Sequence, residues 1–333
     1  MVESTRIDNS SHTMRTTLST LILTAAAALA ADMPMLNERL ILDLPEEAQY
    51  GQRTTALMAA DPGDDETLIW IGEEGDRIAV YAKELDVLAD ADFDKQAREF
   101  LDSYNEKAPL YEIKALNADV YCALRKEAPA RATGADLFGV ALVRHRDGSL
   151  IRMQILFATN HVSKPEECRT WAENAFRSMR FGTGSRNSAE RTDDINFFNE
   201  LVLEVPVPEG YVRTINPGVD FTYTTYTKLT TWDAPTDYFA IYLGDHPNFE
   251  ERKDAQKVKS SAAGKKVTWF CFSPGAGVYA AECCVRLSGL LNFSAPPLYM
   301  HLIIVAPSAE ERTAQINRLT QLKKKDVPPQ SKK

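Results

Sequence analysis

The sequence predicts an α+β protein of two similar domains in tandem, each a mostly antiparallel sheet packed with helices. Three observations carry this. A strand-like segment opened by Asn-Glu occurs twice, as Leu36-Asn37-Glu38-Arg39-Leu40-Ile41-Leu42-Asp43-Leu44-Pro45-Glu46 and as Phe198-Asn199-Glu200-Leu201-Val202-Leu203-Glu204-Val205-Pro206. Each copy leads into period-two apolar stretches and closes on a helix-start signal directly after the last of them. A Gly/Ser-containing segment beginning Gly182-Thr183-Gly184-Ser185 separates the two runs. Internal repetition at this scale sets the fold before any local signal does, and 333 residues give room for about two domains.

In the first half, Leu36–Leu44 reads as a strand ended by Pro45. Leu68–Ile71 and Arg77–Leu85 read as two more, joined by the turn residues Gly72-Glu73-Glu74-Gly75. Over residues 93–107 the period changes: Phe93, Ala97, Phe100, Leu101 and Tyr104 recur at helical spacing, with Asp90 or Asp92 placed to cap the start. Residues 111–125 return to strand character. Leu137–Arg144 and Ser149–Ala158 form a hairpin around Arg146-Asp147-Gly148, where glycine supplies a left-handed position. Ser163-Lys164-Pro165-Glu166 is a capping box that opens the last helix, with Cys168, Trp171, Ala175, Phe176 and Met179 on one face.

The second half is read in the same order. Strands are expected at Phe198–Val205, Phe221–Leu229 and Tyr238–Leu243, then a short polar helix near Phe249–Val258. Strands follow at Lys265–Phe272, Val278–Leu287 and Leu298–Val305, and Ser308-Ala309-Glu310-Glu311 caps a closing helix carrying Ile316, Leu319 and Leu322. Local matches tie the halves together: Ala79-Val80-Tyr81 with Ala240-Ile241-Tyr242, Val143-Arg144 with Val285-Arg286, and Gln154–Ala158 with Leu302–Ala306. The expected order is therefore βββαβββα. The domains are placed at 31–182 and 195–324, with a flexible linker over 183–194 and a disordered tail over 325–333.

Residues 1–30 read as a secretory signal peptide, with Met14 a second candidate start. Arg15 precedes an apolar run from Leu18 to Ala30 that ends in small residues at the expected cut. The run is too short for a membrane span of about 20 residues, so no integral membrane segment is expected after cleavage. Export places the protein in the periplasm or outside the cell. Residues 31–182 carry 18 Lys and Arg against 28 Asp and Glu, while residues 193–333 carry 16 of each. That acidity disfavours nucleic acid as a partner. The five cysteines are odd in number and lack CxxC spacing, so buried thiols are expected, with one disulfide left open.

The strand ending in Pro-Glu resembles the PsbP-like fold. The residues carrying the resemblance are Leu40-Ile41-Leu42-Asp43-Leu44-Pro45-Glu46 and Leu203-Glu204-Val205-Pro206-Val207-Pro208-Glu209-Gly210, with the hairpin-then-helix close of each half. The resemblance implies a binding or assembly factor without catalytic residues.

No cofactor motif is found, and His145, His161, His246 and His301 lack metal-ligand spacing, so no metal site is expected. The most site-like stretch is Tyr242-Leu243-Gly244-Asp245-His246-Pro247, where an adjacent Asp and His sit on a loop bounded by Gly and Pro. A plain strand-to-helix turn explains the same residues. Asp61-Pro62-Gly63-Asp64-Asp65-Glu66 reads as a solvated acidic turn, since the EF-hand ligand order is missing. Tyr223, Tyr226 and Trp232 are candidates for an aromatic interface, with core packing the alternative. The reading is an exported two-domain binding protein of the cell envelope with a protein partner. The alternatives are an enzyme using Asp245 and His246 at an interdomain site, and an effector-immunity protein clamping a secreted toxin.

Overall fold

The computed structural model describes residues 30–51, 65–72, 77–128, 135–158, 164–197, 201–218, 220–287 and 297–325. Mostly antiparallel sheets dominate, and three α-helices occur among the described residues. The chain forms two compact units that divide between Ser185 and Arg186, with Asp86–Leu88 grouped with the second.

In the first unit, β1 (Ala30–Met35) and β2 (Leu40–Pro45) form a hairpin, and β10 (Arg180–Phe181) pairs with the other side of β2. The larger sheet comprises β3 (Gln49–Tyr50), β4 (Glu66–Ile71), β5 (Ile78–Leu88), β6 (Tyr111–Ala115), β7 (Val120–Arg125), β8 (Ala135–Arg144) and β9 (Ser149–Ala158). Across the sheet they run β3-β4-β5-β9-β8-β7-β6. Helices α1 (Phe93–Asp102) and α2 (Pro165–Arg177) both pack on β7 and β8. Trp171, Ala172 and Phe176 of α2 share a core with Val120, Cys122 and Leu124, while Phe93 of α1 meets Tyr121 edge-on at 5.5 Å. With both faces covered, β7 reads as an unbroken apolar run rather than alternating.

The second unit has its own hairpin, β11 (Arg191–Phe197) with β12 (Leu201–Val207), flanked by β21 (Lys323–Lys325). Its larger sheet comprises β13 (Tyr211–Pro217), β14 (Phe221–Lys228), β16 (Tyr238–Gly244), β17 (Gln256–Ala262), β18 (Lys265–Gly275), β19 (Val278–Arg286) and β20 (Tyr299–Ala306). A two-residue β15 (Thr230–Thr231) lies between β14 and β16 in the chain. The spatial order is β13-β14-β16-β20-β19-β18-β17. Helix α3 (Ala309–Leu319) packs on β19 and β20, burying Ile316 and Leu319. Ranked within its unit, each large sheet has the same order: three strands in sequence, then the last strand, then the remaining three in reverse.

Several expectations need correction. The strand expected at Leu36–Leu44 is a tight turn followed by β2, because Leu36, Asn37 and Glu38 are left-handed. Residues 111–125 are two strands separated by a turn. Helix α1 ends at Asp102 and tightens into a 3-10 turn at Ser103–Asn105. The polar helix expected near Phe249–Val258 is absent. Phe249 is the only large apolar side chain in 249–255, so no apolar stripe exists to hold a helix. Its ring instead packs on Phe270 and His301, and Gln256–Ala262 becomes an edge strand. Neither unit keeps the expected βββαβββα order: among the described residues five strands precede α1 and four precede α2 in the first unit, no helix precedes α3 in the second, and β1, β3 and β13 were not anticipated.

The linker expectation fails over 191–194, which belong to β11 with Ile195 and Phe197 buried. Lys325, placed in the tail, ends β21, and residues 326–333 lie outside the described residues. So do most of the signal-peptide segment, the acidic residues 61–64, the turn 73–75, His161 and Ser163. Lys164 stands at the N-cap of α2 and makes no side-chain cap bond. The other two caps are as expected: Asp92 accepts from the Lys95 amide at 3.1 Å, and Ser308 accepts from the Glu311 amide at 3.0 Å.

Candidate functional site

The Tyr242–His246 stretch sits where β16 leaves the sheet. Register pairs Phe221 with Gly244 and Tyr223 with Tyr242 across β14 and β16. Tyr242 and Gly244 share a face because side chains alternate along a strand. The Tyr242 ring stacks on Phe221 with centroids 5.7 Å apart and lies over Gly244. A Cβ at residue 244 would fall 2.3 Å from Tyr242 Oη, so only glycine allows this placement. The hydroxyl then accepts the His246 amide at 3.2 Å, and Asp245 Oδ1 lies 2.6 Å from His246 Nδ1. Burial, joined by the charges of Asp245 and Asp220 against the opposing His246 amide bond, raises the Tyr242 hydroxyl above the usual tyrosine range.

Asp220, in the turn before β14, completes the corner. One ligand-capable atom from each of Asp220, Asp245 and His246 falls within 4.8 Å of the others. The cluster faces water, the His246 side chain being 84% exposed. Such a corner orients an imidazole and presents two carboxylates.

The aromatic candidates separate. Tyr226 is fully buried and stacks on Phe239 at 4.7 Å, so it is core. Tyr223 is half-buried on the Tyr242 face of β14, and Trp232 is exposed. Strand parity brings Tyr223 and Tyr242 together.

Sequence reasoning missed a second constellation, in the first unit. Arg39 follows three consecutive left-handed, non-glycine residues, Leu36, Asn37 and Glu38. Its side chain is 1% exposed and pairs with Glu84, which is 2% exposed. Arg39 Nη2 also reaches Asp147 Oδ2 at 2.8 Å, Ser149 Oγ at 2.6 Å and His145 Nδ1 at 2.9 Å. Burial pushes the Asp147 carboxyl up, but the Ser149 hydroxyl and amide, Arg39 and His145 more than offset it and hold it at about 2. Asp, His and Ser meet here in an order unsuited to nucleophilic catalysis. Ser149 Oγ donates to Asp147 at 2.7 Å rather than to the imidazole, and Ser149 is buried. The cluster anchors a turn.

The other anchor is Gly182-Thr183-Gly184, whose amides donate to Arg39 O and Glu38 O at 3.1 Å each. A Cβ at Gly182 or Gly184 would lie 1.9 Å from the carbonyl oxygen of Glu38 or Asn37 respectively. These glycines, read as flexible linker, are close-approach positions. The result is an exposed Asn37-Glu38 tip on a fixed base. The clue in the sequence was Arg39 itself, a charge at a position where the other half has Leu201.

The five cysteines are free thiols. Burial pushes Cys122 and Cys168 up to about 12 and Cys284 to about 11, and it raises Cys271 and Cys283 as well.

No family model matches the chain, and no curated protein matches it. Among solved structures, the chain is similar to an immunity protein, TplEi of the T6SS from Pseudomonas aeruginosa, complexed with an "L" peptide. Identity is 11%, coverage is 91% of this chain and 99% of that one, and the TM-score is 0.21. A likeness at that level assigns neither fold nor function to this chain.

Proposed function

We propose that this is an exported, two-domain binding protein of the cell envelope whose partner is a protein and whose halves arose by tandem duplication. The leader-like N-terminus supports export, to the periplasm or the outside of the cell. The common strand order of the two large sheets supports duplication, and the resemblance to the PsbP-like fold implies a binding or assembly role. The observation that carries the binding reading is the turn at Leu36-Asn37-Glu38. Left-handed conformation costs an L-residue roughly 1–2 kcal/mol, and strain of this kind concentrates at ligand clamps and recognition sites. Here it holds a polar tip out to solvent on a buried ionic base, an arrangement that favours recognition over chemistry.

The test is capture of partners from the native envelope fraction by the mature chain and by an Asn37→Gly/Glu38→Gly variant. Glycine suits the left-handed backbone, so the variant removes the side chains while relieving strain. The expected outcome is a specific partner lost with the variant. Capture of nothing above background overturns the binding reading, and capture unaffected by the variant removes the turn from it. Recovery of a secreted toxin narrows the role to effector immunity. The N-terminus of the envelope-purified chain, read by mass spectrometry, tests export: an uncleaved leader in the cytoplasm would exclude it.

A further inference from the structure

We infer that Asp220, Asp245 and His246 bind a divalent transition-metal ion of the zinc class. The argument begins with register. Phe221 and Gly244 are the last pair of β14 and β16, so Asp220 and Asp245 extend from facing positions at the strand ends. Like charges facing across strands destabilise a sheet unless a cation lies between them.

This protein supplies such a cation at two other places. Asp32 faces Asp43 across β1 and β2, and Arg180 contacts both carboxylates. Asp194 faces Glu204 across β11 and β12, and Lys325 lies 2.9 Å from the first and 3.2 Å from the second. At Asp220 and Asp245 no Lys or Arg among the described residues plays that part. The third member is an imidazole, and the three donor atoms lie within 4.8 Å of one another.

An imidazole with two carboxylates is a borderline donor set. It suits Zn2+ and its neighbours, whereas Ca2+ and Mg2+ take oxygen ligands alone. Tetrahedral zinc–nitrogen and zinc–oxygen bonds of roughly 2.0–2.2 Å set donors about 3.4 Å apart, so Asp245 and His246, now 2.6 Å apart at Oδ1 and Nδ1, open around the ion while the more distant donors, within 4.8 Å, close on it. Tyr242 and Gly244 fix where the loop turns, so the three ligands are partly preorganised. With three protein ligands, the remaining coordination position is open to water or to a donor from a partner. The proposal goes beyond the binding role and stands independently of it, since it concerns the second unit alone.

The experiment is calorimetric titration of the untagged, chelator-treated chain with Zn2+, then Ca2+, repeated on Asp220→Asn and His246→Ala. Both residues are exposed, and matching melting curves would show that the fold is intact. Expected are one Zn2+ per chain and a loss of affinity of about tenfold or more in each variant, with Ca2+ unable to compete. Absence of saturable Zn2+ binding overturns the proposal, and so does Zn2+ binding that both variants retain. Ca2+ binding equal to that of Zn2+ and insensitive to His246→Ala overturns the assignment of metal class.

Discussion

At the start of the second strand of each unit stand two different solutions to the same packing problem. In the first unit the residue there is Arg39, buried against Glu84, Asp147, His145 and Ser149; in the second it is Leu201, buried among apolar neighbours. Both strands belong to a three-stranded sheet completed by a strand that follows the last helix. Both sheets also neutralise a facing carboxylate pair with a base from that third strand, Arg180 in one and Lys325 in the other. The surface device is shared while the interior chemistry is not. A buried ionic cluster costs desolvation that leucine avoids. Its presence in one unit is explained by what it holds, the left-handed turn, rather than by stability.

The sharpest break in that comparison is removal of each anchor. Arg39→Ala strips the guanidinium from a nearly buried Glu84 and should destabilise the first unit by about 3–5 kcal/mol. Leu201→Ala should cost the second unit about 2–5 kcal/mol through a cavity. The two losses differ in kind. Replacing Glu84 with Leu alongside Arg39→Leu should recover most of the first, because two apolar groups replace a broken ion pair; no second change of charge should rescue Leu201→Ala. Hydrogen exchange of the β9 and β20 amides under urea reports the units separately. Failure of the double change to recover stability would show that the polar groups around Arg39 depend on it more than Glu84 does.

Acid should then distinguish the units. The Asp147 carboxyl titrates at about 2 in the folded chain against 3.8 for the free side chain. Its contribution is therefore complete above about pH 4 and disappears as pH falls toward 2. Asp147 is 41% exposed, and solvent screening keeps the effect modest. Asp147→Asn should flatten the pH dependence of β9 protection in that window while leaving β20 unchanged. An identical acid profile in wild type and variant would remove Asp147 as the titrating group.

What was legible in the sequence followed from periodicity and capping. Ser149–Ala158, the hairpin before it and the helix begun at Ser308 were readable because alternation and a side-chain cap are local signals. Two kinds of feature were not. The left-handed run at Leu36–Glu38 contains one residue that favours it, Asn37, but flanks it with Leu36 and Glu38, which do not, and the close approach that accommodates it comes from Gly182 and Gly184, about 145 residues away in the chain. The approach of Asp220 to Asp245 depends on register between β14 and β16, which alternation alone leaves undetermined. Asp245 and His246 stood out because they are adjacent. Their third companion comes from across the sheet.

The smallest effect concerns the helix that closes each unit. Helix α3 starts at Ser308, whose hydroxyl accepts the Glu311 amide, while α2 starts at Lys164 with no side-chain cap bond and Pro165 in its first turn. Proline lacks an amide hydrogen, so one of the unpaired donors of the first turn is already missing. Ser308→Ala should therefore cost the second unit about 1 kcal/mol, whereas Lys164→Ala should change the first by less than about 0.5 kcal/mol. Urea denaturation of the two variants measures the difference. Equal losses would mean that Lys164 holds α2 through its ion pair with Glu167 at 3.1 Å, an exposed contact from which little is expected.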